Sequence, residues 1–91
     1  MNELVPKLTA ILKEMASKKE AVIKCFSTMS GLEISALSSD QKRRITEQFL
    51  AINEILKKYP IKTHDDYSLI SDNHLNKLLK NIKQICLILY D

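Results

Sequence analysis

The chain has 91 residues, 45% of them hydrophobic, with one Gly, two Pro and no Trp. That length allows one compact domain, and so few turn-forming residues exclude a sandwich or barrel, which needs many tight turns. The formal net charge of +3 sets 14 Lys plus Arg against 11 Asp plus Glu, a balance typical of globular rather than disordered chains.

The first periodic segment opens after Asn2, which suits an N-cap, with Glu3 in the first turn and Pro6 early enough to be tolerated. Its apolar series is Leu4, Leu8, Ile11, Met15, Val22, Cys25 and Met29, broken only at Lys18, with Leu12, Ile23 and Phe26 on one flank. Alternating steps of four and three predict a helix over about 3–29. Gly31 stands where a left-handed C-terminal cap belongs. Within this span Ser17-Lys18-Lys19-Glu20 marks either a bend or a solvent-facing turn.

A connector over 32–39 follows, anchored by Leu32, Ile34 and Leu37. Ser38 and Gln41 have capping-box spacing, and the second helix is expected over about 40–58. Its stripe, Ile45, Phe49, Ile52, Leu56 and Tyr59, is unbroken, with Leu50 and Ile55 at the edges. Pro60 ends it, because the residue before proline is pushed out of helical geometry. Between 63 and 70, Thr63 or Asp65 caps an optional short turn holding Tyr67, Leu69 and Ile70. A third helix is expected over about 72–90, with Leu75, Leu78, Ile82, Ile85 and Leu89 as its stripe and Leu79 and Cys86 beside it. The reading is one all-α domain over 1–91: an antiparallel up-down-up three-helix bundle with coiled-coil-like packing and room for an extra short helix at about 63–70.

Chemistry is sparse. His64-Asp65-Asp66 and Asp72-Asn73-His74 lack the one-turn spacing of helical metal ligands, and they fail the calcium-loop pattern. One glycine cannot build a phosphate-binding loop. Cys25 and Cys86 lie in apolar surroundings and read as reduced, inert core thiols, although a bundle has the means to bring them together. No enzyme activity, metal, cofactor or small-molecule substrate is expected. Nor is a signal peptide, because charged residues interrupt the early apolar positions. No window reaches the roughly 20 apolar residues that cross a bilayer, so the expectation is a cytoplasmic protein without membrane insertion.

Two partner classes remain. From Ile85 to Tyr90 every face is apolar, so the end of the third helix must be buried by the connector, by a partner or by both. This points to a module that binds a partner helix or a second copy of itself. Its expected contacts are Leu79, Ile82, Cys86, Leu89 and Tyr90, with Phe26 and Met29 opposite. The alternative is a nucleic-acid-associated protein using Lys42, Arg43 and Arg44 with Lys57 and Lys58. Against it, three adjacent basic residues point in three directions on a helix, and the Gly31–Ser38 connector is long for a helix-turn-helix. The pattern resembles the small helical chaperones and adaptors of bacterial secretion and flagellar export, short Leu/Ile/Lys/Glu-rich antiparallel helices that hold a partner's amphipathic segment. That resemblance implies partner binding in the cytoplasm and transfers no functional residues.

Overall fold

The structure is a computed structural model that describes residues 3–14 and 16–90. The expected Asn2 cap and Met15 in the first stripe lie outside the described residues. Four α-helices pack around one apolar cluster: α1 (Leu4–Lys13), α2 (Lys18–Met29), α3 (Ser39–Leu56) and α4 (Asp72–Tyr90), with short 3-10 turns at Ile34–Ala36 and His64–Leu69. The chain is therefore all-helical, as its periodicity predicts. The described residues form four α-helices where the stripes predict an up-down-up bundle of three.

The extra helix comes from a break in the first one. Helix α1 ends with Glu14 at φ −92° and ψ 17°, and Ser17 is fully extended at φ −140° and ψ 148°. The Ser17 hydroxyl accepts the Glu20 backbone N–H at 3.1 Å, satisfying one of the donors orphaned at a helix start. An apolar series in register across a break looks like one helix in sequence, yet the N-cap restarts the backbone. Pro6 falls in the first turn of α1, where its missing N–H costs nothing.

Gly31 also departs from expectation. No described residue has positive φ, so α2 ends without a left-handed cap. Instead Ser30 stays in right-handed helical geometry at φ −61° and ψ −20°, and its hydroxyl donates to the Ser27 carbonyl at 2.6 Å. The Gly31 and Leu32 amides then close tighter turns on Thr28 and Met29 at 3.3 and 3.0 Å.

Helix α3 starts as the sequence indicates. Ser38 Oγ accepts the Gln41 N–H and Gln41 Oε1 accepts the Ser38 N–H, both at 3.1 Å. It ends at Leu56, four residues before Pro60, and the chain leaves through short turns. Helices α3 and α4 run antiparallel, as three cross-links show. Gln41 Nε2 donates to the Ile88 carbonyl at 3.1 Å, Asn81 Nδ2 donates to Gln48 Oε1 at 2.9 Å, and the Tyr59 hydroxyl is hydrogen-bonded to His74 Nδ1.

Helix α4 is the central element, packed against α1, α2 and α3. Leu75, Leu78, Leu79, Ile82, Ile85, Cys86, Ile88 and Leu89 are all buried, and at 100° per residue they cover roughly half of its circumference. The apolar surplus at 85–90 thus has a cause within the chain. With α1 folded onto α4 as a fourth element, one helix must present apolar residues to three neighbours. Only Leu87 and Tyr90 in that run stay exposed, at 59% and 62%.

Candidate functional site

The core itself offers no chemistry, since no described residue in it is polar or charged. Cys25 and Cys86 are free and buried. Burial, with a smaller contribution from the nearby Cys86, pushes the Cys25 thiol up to about 11, and burial raises Cys86 as well. Both stay protonated at neutral pH, and a thiol is a poor nucleophile.

The histidine- and aspartate-rich loop is occupied by structural work. The Asp66 carboxylate accepts the Lys62 and Thr63 backbone N–H groups at 2.7 and 3.1 Å, which hold its pKa below the ordinary carboxylate value. Asp72 pairs with Lys18 Nζ at 2.9 Å. Ser71 caps α4, its hydroxyl accepting the His74 N–H at 3.2 Å. The Ser71 hydroxyl and backbone N–H both hydrogen-bond the Tyr59 phenol, at 3.4 and 3.2 Å, and lower its pKa. Tyr59, Ser71 and His74 therefore staple the exit of α3 to the start of α4. Among the described residues no three His, Cys, Asp or Glu side chains converge as they would around a metal ion.

The basic cluster is largely neutralised by its own helix. Arg43 contacts Asp40 at 2.7 Å and Glu47 at 3.7 Å, Arg44 reaches Asp40 at 3.8 Å, and Lys57 reaches Glu54 at 2.9 Å. Asp40 in the first turn pairs with two of the cations, Arg43 and Arg44, at a helix start that would otherwise disfavour them. Lys42 and Lys58 belong to the same helix and its exit, but the five do not form one open basic stripe.

The apolar residues expected to meet a partner separate into two groups. Met29, Leu79, Ile82, Cys86 and Leu89 are buried, between 0% and 9% exposed, because the four-helix packing uses them. They are used by the protein's own core, although Met29 and Cys86 also reach the floors of surface depressions. Phe26 is half-buried and Tyr90 is exposed.

What sequence reasoning did not locate is a groove. Helices α2 and α3 each pack on α4 but make little contact with one another. The gap between them is a cavity of about 310 Å³ bordered by Phe26, Met29 and Ser30 on α2 and by Phe49, Ile52, Asn53 and Leu56 on α3. Phe49 and Leu56 sit in the middle of the α3 stripe yet are only half-buried, whereas the edge residue Ile55 is buried. Helix α3 is rotated toward α4, leaving that side of its stripe uncovered. The Phe26 ring meets Tyr67 edge-on with ring centres 6.2 Å apart, so the 3-10 turn after α3 lies against the α2 wall of the groove. No helix among the described residues is long and apolar enough to cross a membrane. No family model matches the chain, and no curated protein or solved structure shows significant similarity to it.

Proposed function

We propose that the chain is a non-enzymatic helical interaction module that holds an amphipathic helix of a partner protein in the α2–α3 groove. The observation that carries this reading is the half-exposure of Phe26, Phe49 and Leu56 around one apolar depression, while side chains on the same helices are sealed in the core. Helix-in-groove recognition uses such a trough, with apolar anchors at i, i+3 or i+4, and i+7 filling it. Met29 at the floor adds a side chain that adapts to more than one shape. A cytoplasmic setting fits two unbridged cysteines.

Selection from a displayed library of amphipathic helices, followed by titration against the intact chain, tests this. Selected peptides should perturb the amide resonances of residues 26–30 and 49–56. Phe49→Glu should weaken them by more than tenfold, and Asn53→Trp, a rim change that leaves the core alone, should do the same by filling the trough. Sedimentation of the chain alone checks for a second copy as the occupant. A dimer dispersed by both variants would identify that occupant, whereas peptides indifferent to both variants would remove the groove from consideration.

A further inference from the structure

We propose that the second uncovered apolar surface, the cleft between α1 and α4, docks a helix whose apolar stripe is flanked by carboxylates. The cleft is an open depression of about 380 Å³ lined by Thr9, Leu12 and Lys13 from α1 and by Lys83, Cys86 and Leu87 from α4. Leu12 is half-buried, Cys86 forms the floor, and Leu87 is 59% exposed beside it. Lys80, Lys83, Leu87 and Tyr90 follow one another at steps of three and four, and all four are exposed. They form one face of α4 that continues the cleft along the helix.

Charge decides the occupant. Helix α4 carries Lys77, Lys80 and Lys83 and no acidic residue beyond Asp72. Among the described residues, neither Lys13 nor Lys80 nor Lys83 makes an ion pair. The contrast with Arg43, Arg44 and Lys57, each paired with a neighbouring carboxylate, is direct. Uncompensated cations on both walls of an apolar trough complement an acidic amphipathic helix: Leu12 and Leu87 receive its apolar stripe, and Lys13 and Lys83 meet carboxylates on its two flanks. Such complementarity acts mainly on encounter rate and partner choice. A duplex nucleic acid has no use for the apolar floor.

The test uses an 18-residue synthetic helix with Leu on one face flanked by Glu, its counterpart flanked by Lys, and phosphatidylglycerol vesicles, each titrated against the intact chain by fluorescence anisotropy or co-sedimentation. The Glu peptide should bind at least about tenfold more tightly than the Lys peptide, and its affinity should fall with added salt. Lys80→Glu with Lys83→Glu, both surface changes, should cost about tenfold or more, and Leu87→Ala should weaken binding in the same direction. Equal binding of the two peptides, indifference to the Lys80/Lys83 reversal, or binding to the vesicles in place of the peptide would each overturn the proposal. Binding that Phe49→Glu abolishes and the lysine reversal spares would overturn it too, while leaving the α2–α3 groove in place.

Discussion

The two halves of this chain are held together by different means. In the α3–α4 hairpin, polar groups fix the register at both ends and in the middle: Gln41 to the Ile88 carbonyl, Gln48 to Asn81, and Tyr59 to Ser71 and His74. Among the described residues, no such series of polar links ties the α1–α2 half to α3 or α4. That half meets α4 through buried apolar residues such as Leu8, Val22 and Cys25 and, among the described residues, through the ion pair of Lys18 with Asp72. With side chains 39% and 73% exposed, that pair adds at most about 1 kcal/mol. Apolar contact is non-directional, so it sets how much surface is buried without fixing how helices slide against one another. Both uncovered troughs lie where the N-terminal half meets the C-terminal hairpin. The rigid pair supplies one wall of each, and the less constrained pair supplies the other.

Core truncation probes this difference with the largest expected effect. Ile82 on α4 and Leu8 on α1 are both fully buried, so Ile82→Ala and Leu8→Ala should each cost about 2–5 kcal/mol in denaturant titrations. Their hydrogen-exchange signatures should differ. Ile82→Ala removes a residue from the helix that every other helix packs on and should lower protection throughout. Leu8→Ala should expose the amides of residues 4–13 first, by local opening of α1. A uniform loss in both variants would mean that the halves form one cooperative unit and that the contrast in cross-links has no energetic counterpart.

The two halves also differ in how far they could be read from sequence. Helices α3 and α4 were legible because stripe and cap agree: Ser38 and Gln41 signal a start just where Ile45 opens an unbroken series, and Ser71 precedes the Leu75 stripe. In the N-terminal half the signals conflict. Ser17 and Glu20 have the spacing of an N-cap and a first-turn acid, but Leu8, Ile11, Val22 and Cys25 keep step across them, and periodicity outweighs one serine. Treating α1 and α2 as one helix leaves α4 one neighbour short, so Ile85, Cys86, Ile88 and Leu89, which are buried, look like a surplus at an open end. The α2–α3 groove was illegible for a related reason. Stripe position ranks Phe49 above Ile55 for burial, whereas the rotation of α3 about its axis is set by Gln41 and Gln48 reaching α4, contacts that no local pattern reports.

Gln41 is the sharpest single point at which to remove that directional control. Its side chain accepts the Ser38 N–H at 3.1 Å and donates to the Ile88 carbonyl at 3.1 Å, serving the start of one helix and the end of another. Gln41→Ala should cost about 1–2 kcal/mol, from a broken capping box and a helix-end carbonyl left to water. Exchange at the amides of residues 88–90 should quicken, because the last turn of α4 loses its anchor. Ser38→Ala separates the contributions: it should cost about 1 kcal/mol through the cap alone and leave the exchange of 88–90 unchanged. Equal quickening in both variants would show that the α4 end depends on α3 helicity and not on the Gln41 bridge.

The smallest effect has the opposite sign and lies in the joint between the halves. Gly31 has no positive φ, and a methyl group built there meets only the Thr28 carbonyl oxygen at 3.7 Å, an ordinary contact. The glycine is therefore not required by backbone geometry. Its effect falls on the unfolded chain, whose freedom it enlarges. Gly31→Ala should stabilise the protein by about 0.4–1 kcal/mol, seen as a higher denaturation midpoint with an unchanged slope. Because the residue lies just past the Ser30 cap of α2 and precedes the connector to α3, the same change stiffens the link that lets α2 stand apart from α3. If adaptability of that link serves binding in the α2–α3 groove, the stabilised variant should discriminate more strongly among helical peptides of different bulk. Stabilisation with unaltered peptide preference would assign the groove's shape to the packed helices alone.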